Sequence, residues 1–194
     1  MIDFNRLRLI AEEIATIGVG DKLPRFDTSG NPAILREYSS VKEPTVYPFI
    51  TYDVRHVGGE AERATNQYFN DEGRKWHEFT ENIDIKYCCK GDRSLEIISQ
   101  LYNFVKLPST RDRVTCRMPG FGILKTMSIK PSPTVNGTQY IEEHSFIIRC
   151  LLINKVLDPY DLQMEGITLS TSFSNNVSTT SDFNVEIPIT PDVL

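Results

Sequence analysis

The chain has 194 residues, with 26 acids against 21 Lys and Arg, a net charge of −5 and 40% apolar residues. That length suits one domain with appendages rather than two enzyme domains, and folding at this size can bury roughly 70% of the chain's surface. The composition excludes a disordered chain, no apolar run approaches the ~20 residues needed to cross a bilayer, and an acidic total argues against general clamping of DNA phosphates.

The average charge hides an asymmetry. Lys155 is the last basic residue, and beyond it stand Asp158, Asp161, Glu165, Asp182, Glu186 and Asp192. Residues 156–194 therefore carry −6 and residues 1–155 carry +1, which makes the C-terminal segment a separate electrostatic object. The opening Met1-Ile2-Asp3-Phe4 lacks the sections of a secretory signal, so a cytosolic site of synthesis is expected. Cys88, Cys89, Cys116 and Cys150 show neither C-x-x-C spacing nor a His pair, so reduced, half-buried thiols are expected.

Phe4, Leu7, Ala11 and Ile14 recur on one helical face, with Asp3 as a cap and Gly18 and Gly20 as terminators. Residues 21–45 hold Pro24, Gly30, Pro32 and Pro44 among polar residues and read as a long loop or arm. Val46 to Val57 is rich in aromatic and β-branched residues and reads as a strand, with Pro48 at its start or on an edge. A polar stretch runs from Gly58 to Gly73. Trp76 to Cys89 then alternates strictly, with Phe79, Ile83, Ile85, Tyr87 and Cys89 on one side and Thr80, Asn82, Asp84, Lys86 and Cys88 on the other.

Asp92 is positioned to cap a second helix carrying Leu95, Ile98, Leu101, Tyr102 and Val105, which Pro108 stops. Val114 to Arg117 reads as a short strand or loop, Gly122 to Ile129 as a strand, and Asn136-Gly137 as a hairpin turn. Tyr140 to Ile153 is a long strand whose apolar second half belongs inside a sheet. Gly166 to Phe173 alternates like a further strand. Ser, Thr and Asn dominate positions 170–181, and Phe183 to Pro191 reads as extended chain suited to strand addition on another subunit. The expected fold is α+β: a mixed, mainly antiparallel sheet on two helices, forming a domain over 1–170 with an arm at 21–45 and a tail at 171–194.

Chemistry is hard to place on this sequence. His56, His77 and His144 have no metal-ligand spacing, and the adjacent carboxylates of Glu142-Glu143 point to opposite faces of a strand. Pro119-Gly120-Phe121-Gly122 lacks the lysine of a phosphate loop, and Gly-x-Ser-x-Gly is missing. No catalytic residue, metal site or cofactor is assigned. Arg111, Arg113, Arg117, Lys125 and Lys130 form a modestly basic stretch, readable as scattered surface cations or as a contact surface. Tyr47, Tyr52, Tyr68, Phe69 and Trp76 read as core residues or interface anchors.

The order of elements, with the passages Tyr47-Pro48-Phe49-Ile50-Thr51-Tyr52, Glu81 to Tyr87 and Glu142 to Ile153, resembles the neck or tail terminator proteins of tailed bacteriophages over roughly residues 45–170. The resemblance implies a non-enzymatic virion protein, assembled in the host cytoplasm as a ring, expected to be hexameric, on the end of the tail tube. There it stops tube polymerisation and offers the docking surface for the head. Implied partners are further copies of the chain, the tail tube protein, a head-completion or connector protein, a sheath where the tail contracts, and genomic DNA passing the lumen without specific binding.

Interface or lumen positions are then expected at Arg111, Arg113, Arg117, Tyr47, Tyr52, Phe183 and Ile187, with the arm and tail gripping neighbours. The alternatives are a head-completion or stopper subunit, a small cytosolic enzyme built on His144, Glu142 and Cys150, and a protein-binding module.

Overall fold

The computed structural model describes residues 2–25, 30–37, 44, 46–59, 66–71, 73–132, 134–136 and 139–158. Helix α1 (Phe4–Val19) starts where expected, because the Asp3 carboxylate accepts the Arg6 backbone N–H at 3.0 Å and satisfies a first-turn donor that no helical carbonyl reaches. Leu7, Ile10, Ala11, Ile14 and Ala15 form its buried stripe. Its end departs from expectation: Gly20 keeps a right-handed conformation and leads into a 3-10 turn at Gly20–Lys22. Gly18 sits inside the helix for want of space. A Cβ there would stand 2.8 Å from Phe104 Cδ1 and 2.9 Å from Leu101 Cδ1.

Within the expected arm lies a short strand, β1 (Ile34–Arg36), paired in parallel with β2 (Phe49–Gly59). Leu23, Ala33 and Ile34 are buried, and that apolar surface holds the segment to the sheet edge. Next in the chain come β3 (Asn66–Phe69) and β4 (Lys75–Lys90). β3 falls where the sequence read as a polar loop, since its own residues bury little. Cross-strand polar contacts hold it, with Glu78 bonded to Asn66 (3.3 Å) and Lys155 (3.0 Å), and the Lys155 ammonium 5.0 Å from the Tyr68 ring centre.

Helix α2 (Ser94–Lys106) is capped by left-handed Arg93 without a side-chain bond, not by Asp92. Pro108 does close α2, but it also opens a third helix, α3 (Pro108–Arg117), over residues read as strand or loop. Proline suits that first position because its missing N–H would find no helical partner there. α3 escaped the sequence because only Thr110 and Val114 are buried on it. After it come β5 (Phe121–Thr126), β6 (Lys130–Pro131), the β7 (Thr134–Asn136) and β8 (Gln139–Ile141) hairpin at the expected turn, and β9 (Glu143–Leu157). The expected strands at Gly166 to Phe173 and Phe183 to Pro191 lie outside the described residues.

The main sheet runs β1-β2-β4-β9-β5, with β3 on β4 and β6 on β9. All pairings in it are antiparallel except β1 with β2, giving the mixed α+β fold expected, on three helices rather than two. α1 lies over β2 and β1, α2 over β9 and β4, and α3 over β5. Ile83, Ile85, Tyr87 and Cys89 of β4 meet Phe146, Ile148, Cys150 and Leu152 of β9 on that helix-covered face. The Tyr87 hydroxyl is spent inside this core, donating to the Ala11 carbonyl at 2.8 Å.

The opposite face stays polar. Asp84 receives a two-pronged bond from Arg149 at 2.8 and 2.9 Å, and Lys86 lies 3.4 Å from Glu37. One covered and one wet face explain the period-two pattern of β4. Because a side chain at Gly18 would run into Phe104 and Leu101 of α2, Gly18→Leu is expected to cost about 1–3 kcal/mol by overpacking. Urea unfolding should show a lower midpoint with an unchanged slope.

Candidate assembly surface

The residues proposed for enzyme chemistry do not converge. The His144 ring sits against α2, its Nδ1 2.9 Å from the Ser94 hydroxyl and 3.7 Å from Glu142. Cys150 lies six residues along β9, roughly 20 Å away at the strand rise of about 3.3 Å. It is enclosed under the helices, where burial first and Asp84 second push its thiol up to about 12. Burial likewise pushes Cys89 up to about 12 and raises Cys88, whose thiol donates to Glu143 at 3.0 Å. A nucleophile needs the thiolate, which these surroundings disfavour. Three thiols expected to be half-buried are thus fully enclosed, while Cys116 is exposed. Among the described residues, no group of three or more His, Cys, Asp or Glu is placed to hold a metal ion.

The basic stretch is resolved into distinct roles. Arg113 binds Glu13 through two nitrogens at 3.0 and 2.8 Å, and Arg117 reaches the same oxygen at 3.3 Å, tying α3 to α1. The Arg6 guanidinium donates to the Arg117 carbonyl across the same seam. These cations hold the Glu13 carboxyl below the usual carboxylate range, the Arg113 hydrogen bond being the largest cause. Arg111 is exposed on α3, and Lys125 and Lys130 lie at the far edge of the sheet.

The aromatic candidates divide as well. Tyr52 is 5% exposed and belongs to the core, its hydroxyl 3.3 Å from Glu12 and pushed up to about 12, chiefly by burial. Tyr47 is 40% exposed and packs on Phe49 with ring centres 5.3 Å apart. Gly91 makes room for it: at φ +106° the position favours glycine, and a Cβ would come 2.8 Å from Tyr47 Cβ. Phe183 and Ile187 lie outside the described residues.

Sequence reasoning missed a surface that only strand lengths reveal. β4 and β9 run together from Lys90↔Glu143 to Trp76↔Leu157, and residues 75–81 of β4 extend past the part whose side chains are buried by helices. With β3 alongside, this end forms a three-stranded ribbon carrying Phe69, Ile153 and Val156 exposed. His77 secures its tip, with Nε2 2.8 Å from Asp158 Oδ2. A signal was present in the two long alternating stretches, but not how far the helices would cover them.

Two measurements check this layout. In native protein at pH 8, a thiol reagent should titrate Cys116 promptly, while the other three cysteines wait for unfolding. Glu13→Gln should lower stability at pH 7 by a few tenths of a kcal/mol, the scale of a partly exposed ion pair. A carboxyl whose pKa is depressed on folding stabilises above its unfolded pKa and ceases to do so as pH falls through the folded one. The difference between Glu13→Gln and the parent in urea midpoints should therefore shrink as pH falls below the usual carboxylate range.

No curated protein matches the sequence significantly. A solved structure aligns over 78% of this chain and 96% of its own at 10% identity and a TM-score of 0.33. A model of the phage neck terminator proteins matches residues 12–177, taking in much of α1 and the whole stretch 21–45. That span is wider than the 45–170 on which the sequence resemblance rested, and it makes the stretch before β2 part of the family pattern. The chain belongs to the phage neck terminator protein family, structural proteins of the virion neck.

Proposed function

We propose that the protein assembles into a closed ring, a hexamer, on the end of the phage tail tube. There it stops tube polymerisation and presents the surface on which the filled head docks. The family membership over residues 12–177 carries this reading. The physical properties of the chain agree with it. A ring needs a head-to-tail interface, two different patches on each copy, and this subunit offers different surfaces at the two ends of its sheet: three-residue β1 and six-residue β5. The near-neutral body and acidic tail suit a lumen through which DNA slides without being held, since tight phosphate binding needs several cations on one surface.

In this reading the tail tube protein lies on one side of the ring, with the sheath around it where the tail contracts. A head-completion or connector protein lies on the other, and the copies assemble in the host cytoplasm. Arg111 lies at a subunit boundary or on the lumen, while Arg113 and Arg117 chiefly hold α3 to α1.

Electron microscopy of the purified chain with and without growing tail tubes tests the proposal. The expected outcome is six-fold rings, and tubes that stop growing with one ring at the end. Tubes that lengthen unchanged while the protein stays a single copy in sedimentation would overturn it. Rings that ignore tubes but bind head particles would overturn the terminator role in favour of a stopper.

A further inference from the structure

The sheet ends at β5. Among the described residues this strand bonds only to β9, so its outer row of N–H and C=O groups has no partner strand. Proteins usually shorten, cover or charge such an edge, because it templates the addition of another strand. This one is six residues long, shifts register on β9 between Ile123 and Lys125, and carries Leu124, 46% exposed. Gly122 leaves space beside it, since a Cβ built there meets nothing within 4 Å. Lys125 and Lys130 stand exposed along the same edge. Lysines placed so repel a second copy of the edge and attract an anionic strand.

We propose that residues 183–189 of a neighbouring copy add as a strand to the free edge of β5. The assignment to a neighbour rests on the ring reading above. Three properties of the sequence select this donor. Its charge is complementary, for it carries Glu186 between the flanking Asp182 and Asp192, and no Lys or Arg. Its pattern has period two, Phe183, Val185, Ile187 and Ile189 alternating with Asn184, Glu186 and Pro188, so one apolar face continues a half-covered sheet.

Its prolines have a direction. Successive N–H groups of a strand point to opposite sides, and Pro188, having none, must face away from the partner strand. The N–H groups of Phe183, Val185, Ile187 and Ile189 then face β5, and Pro191, on that same side, ends the pairing. Reach is no obstacle: residues 158–182 span up to about 80 Å when extended. β1 is the poorer acceptor, with three residues only and acidic Glu37 next to it.

The proline argument supplies the test, made on the full chain. Ile187→Pro removes an N–H that pairs, whereas Asn184→Pro removes one that points outward and leaves the charge unchanged. Sedimentation velocity should show assembly weakened about tenfold or more by Ile187→Pro and changed by less than about threefold by Asn184→Pro. Among residues 122–126, the amides that face away from β9 should exchange slowly in assembled parent protein and fast in Ile187→Pro. Lys125→Glu with Lys130→Glu should weaken assembly too, and Glu186→Lys on the opposing strand should recover part of it.

Equal effects of the two prolines, or exchange at β5 that ignores assembly, would overturn strand addition and leave the ring intact. Protection independent of protein concentration would overturn the assignment to a neighbour. A parent chain that never assembles would overturn this inference and the ring together.

Discussion

The pairing of β4 with β9 is the constraint on which the remaining architecture depends. It runs without a register shift from Trp76↔Leu157 to Lys90↔Glu143. Side chains alternate, so this one register puts Ile83, Ile85, Tyr87 and Cys89 beside Phe146, Ile148, Cys150 and Leu152 under the helices, and Asp84 beside Arg149 on the wet face. A slip of one residue would carry Asp84, Lys86 and Cys88 into the core and put Ile85 and Tyr87 in water, so competing registers are excluded by burial. β2 and β5 add to the outer sides of this pair, and the helices cover only the stretch it leaves apolar. The part beyond becomes the ribbon with β3.

Several polar groups hold elements of the fold together. Glu13 clamps α3 to α1 through Arg113 and Arg117, Asp84 bridges two central strands through Arg149, and Ser94 meets His144 where α2 begins. Burial of Cys89 and Cys150 takes the thiols out of chemical use. What remains at the surface is two sheet ends, a projecting ribbon and a charge difference along the chain.

Legibility in the sequence followed burial. α1, β4 and β9 were plain, since their apolar residues recur at 3.6 or 2 residues over long stretches and each buries a continuous stripe. β1, β3 and α3 were not, because each buries few side chains of its own and owes its conformation to the strand or helix beside it. β3 is the clearest case: Asn66 and Tyr68 are held by Glu78 and Lys155, residues remote in sequence. The candidate surface residues show the same split. Tyr52 and Tyr47 look alike in sequence, yet one faces the core across from Glu12 and the other stacks at the surface on Phe49.

The sequence by itself determined the α+β class, the alternation that orients the central strands, the lack of recognisable catalytic spacing and the acidic character of everything after Lys155, because these depend on residue type and local period alone. The tertiary structure decided which cations are consumed by Glu13, which tyrosine is enclosed, which glycine yields to a neighbouring helix and which strand lies at the edge of the sheet. Those are relations between residues far apart in the chain, and distance along a sequence does not encode distance in space.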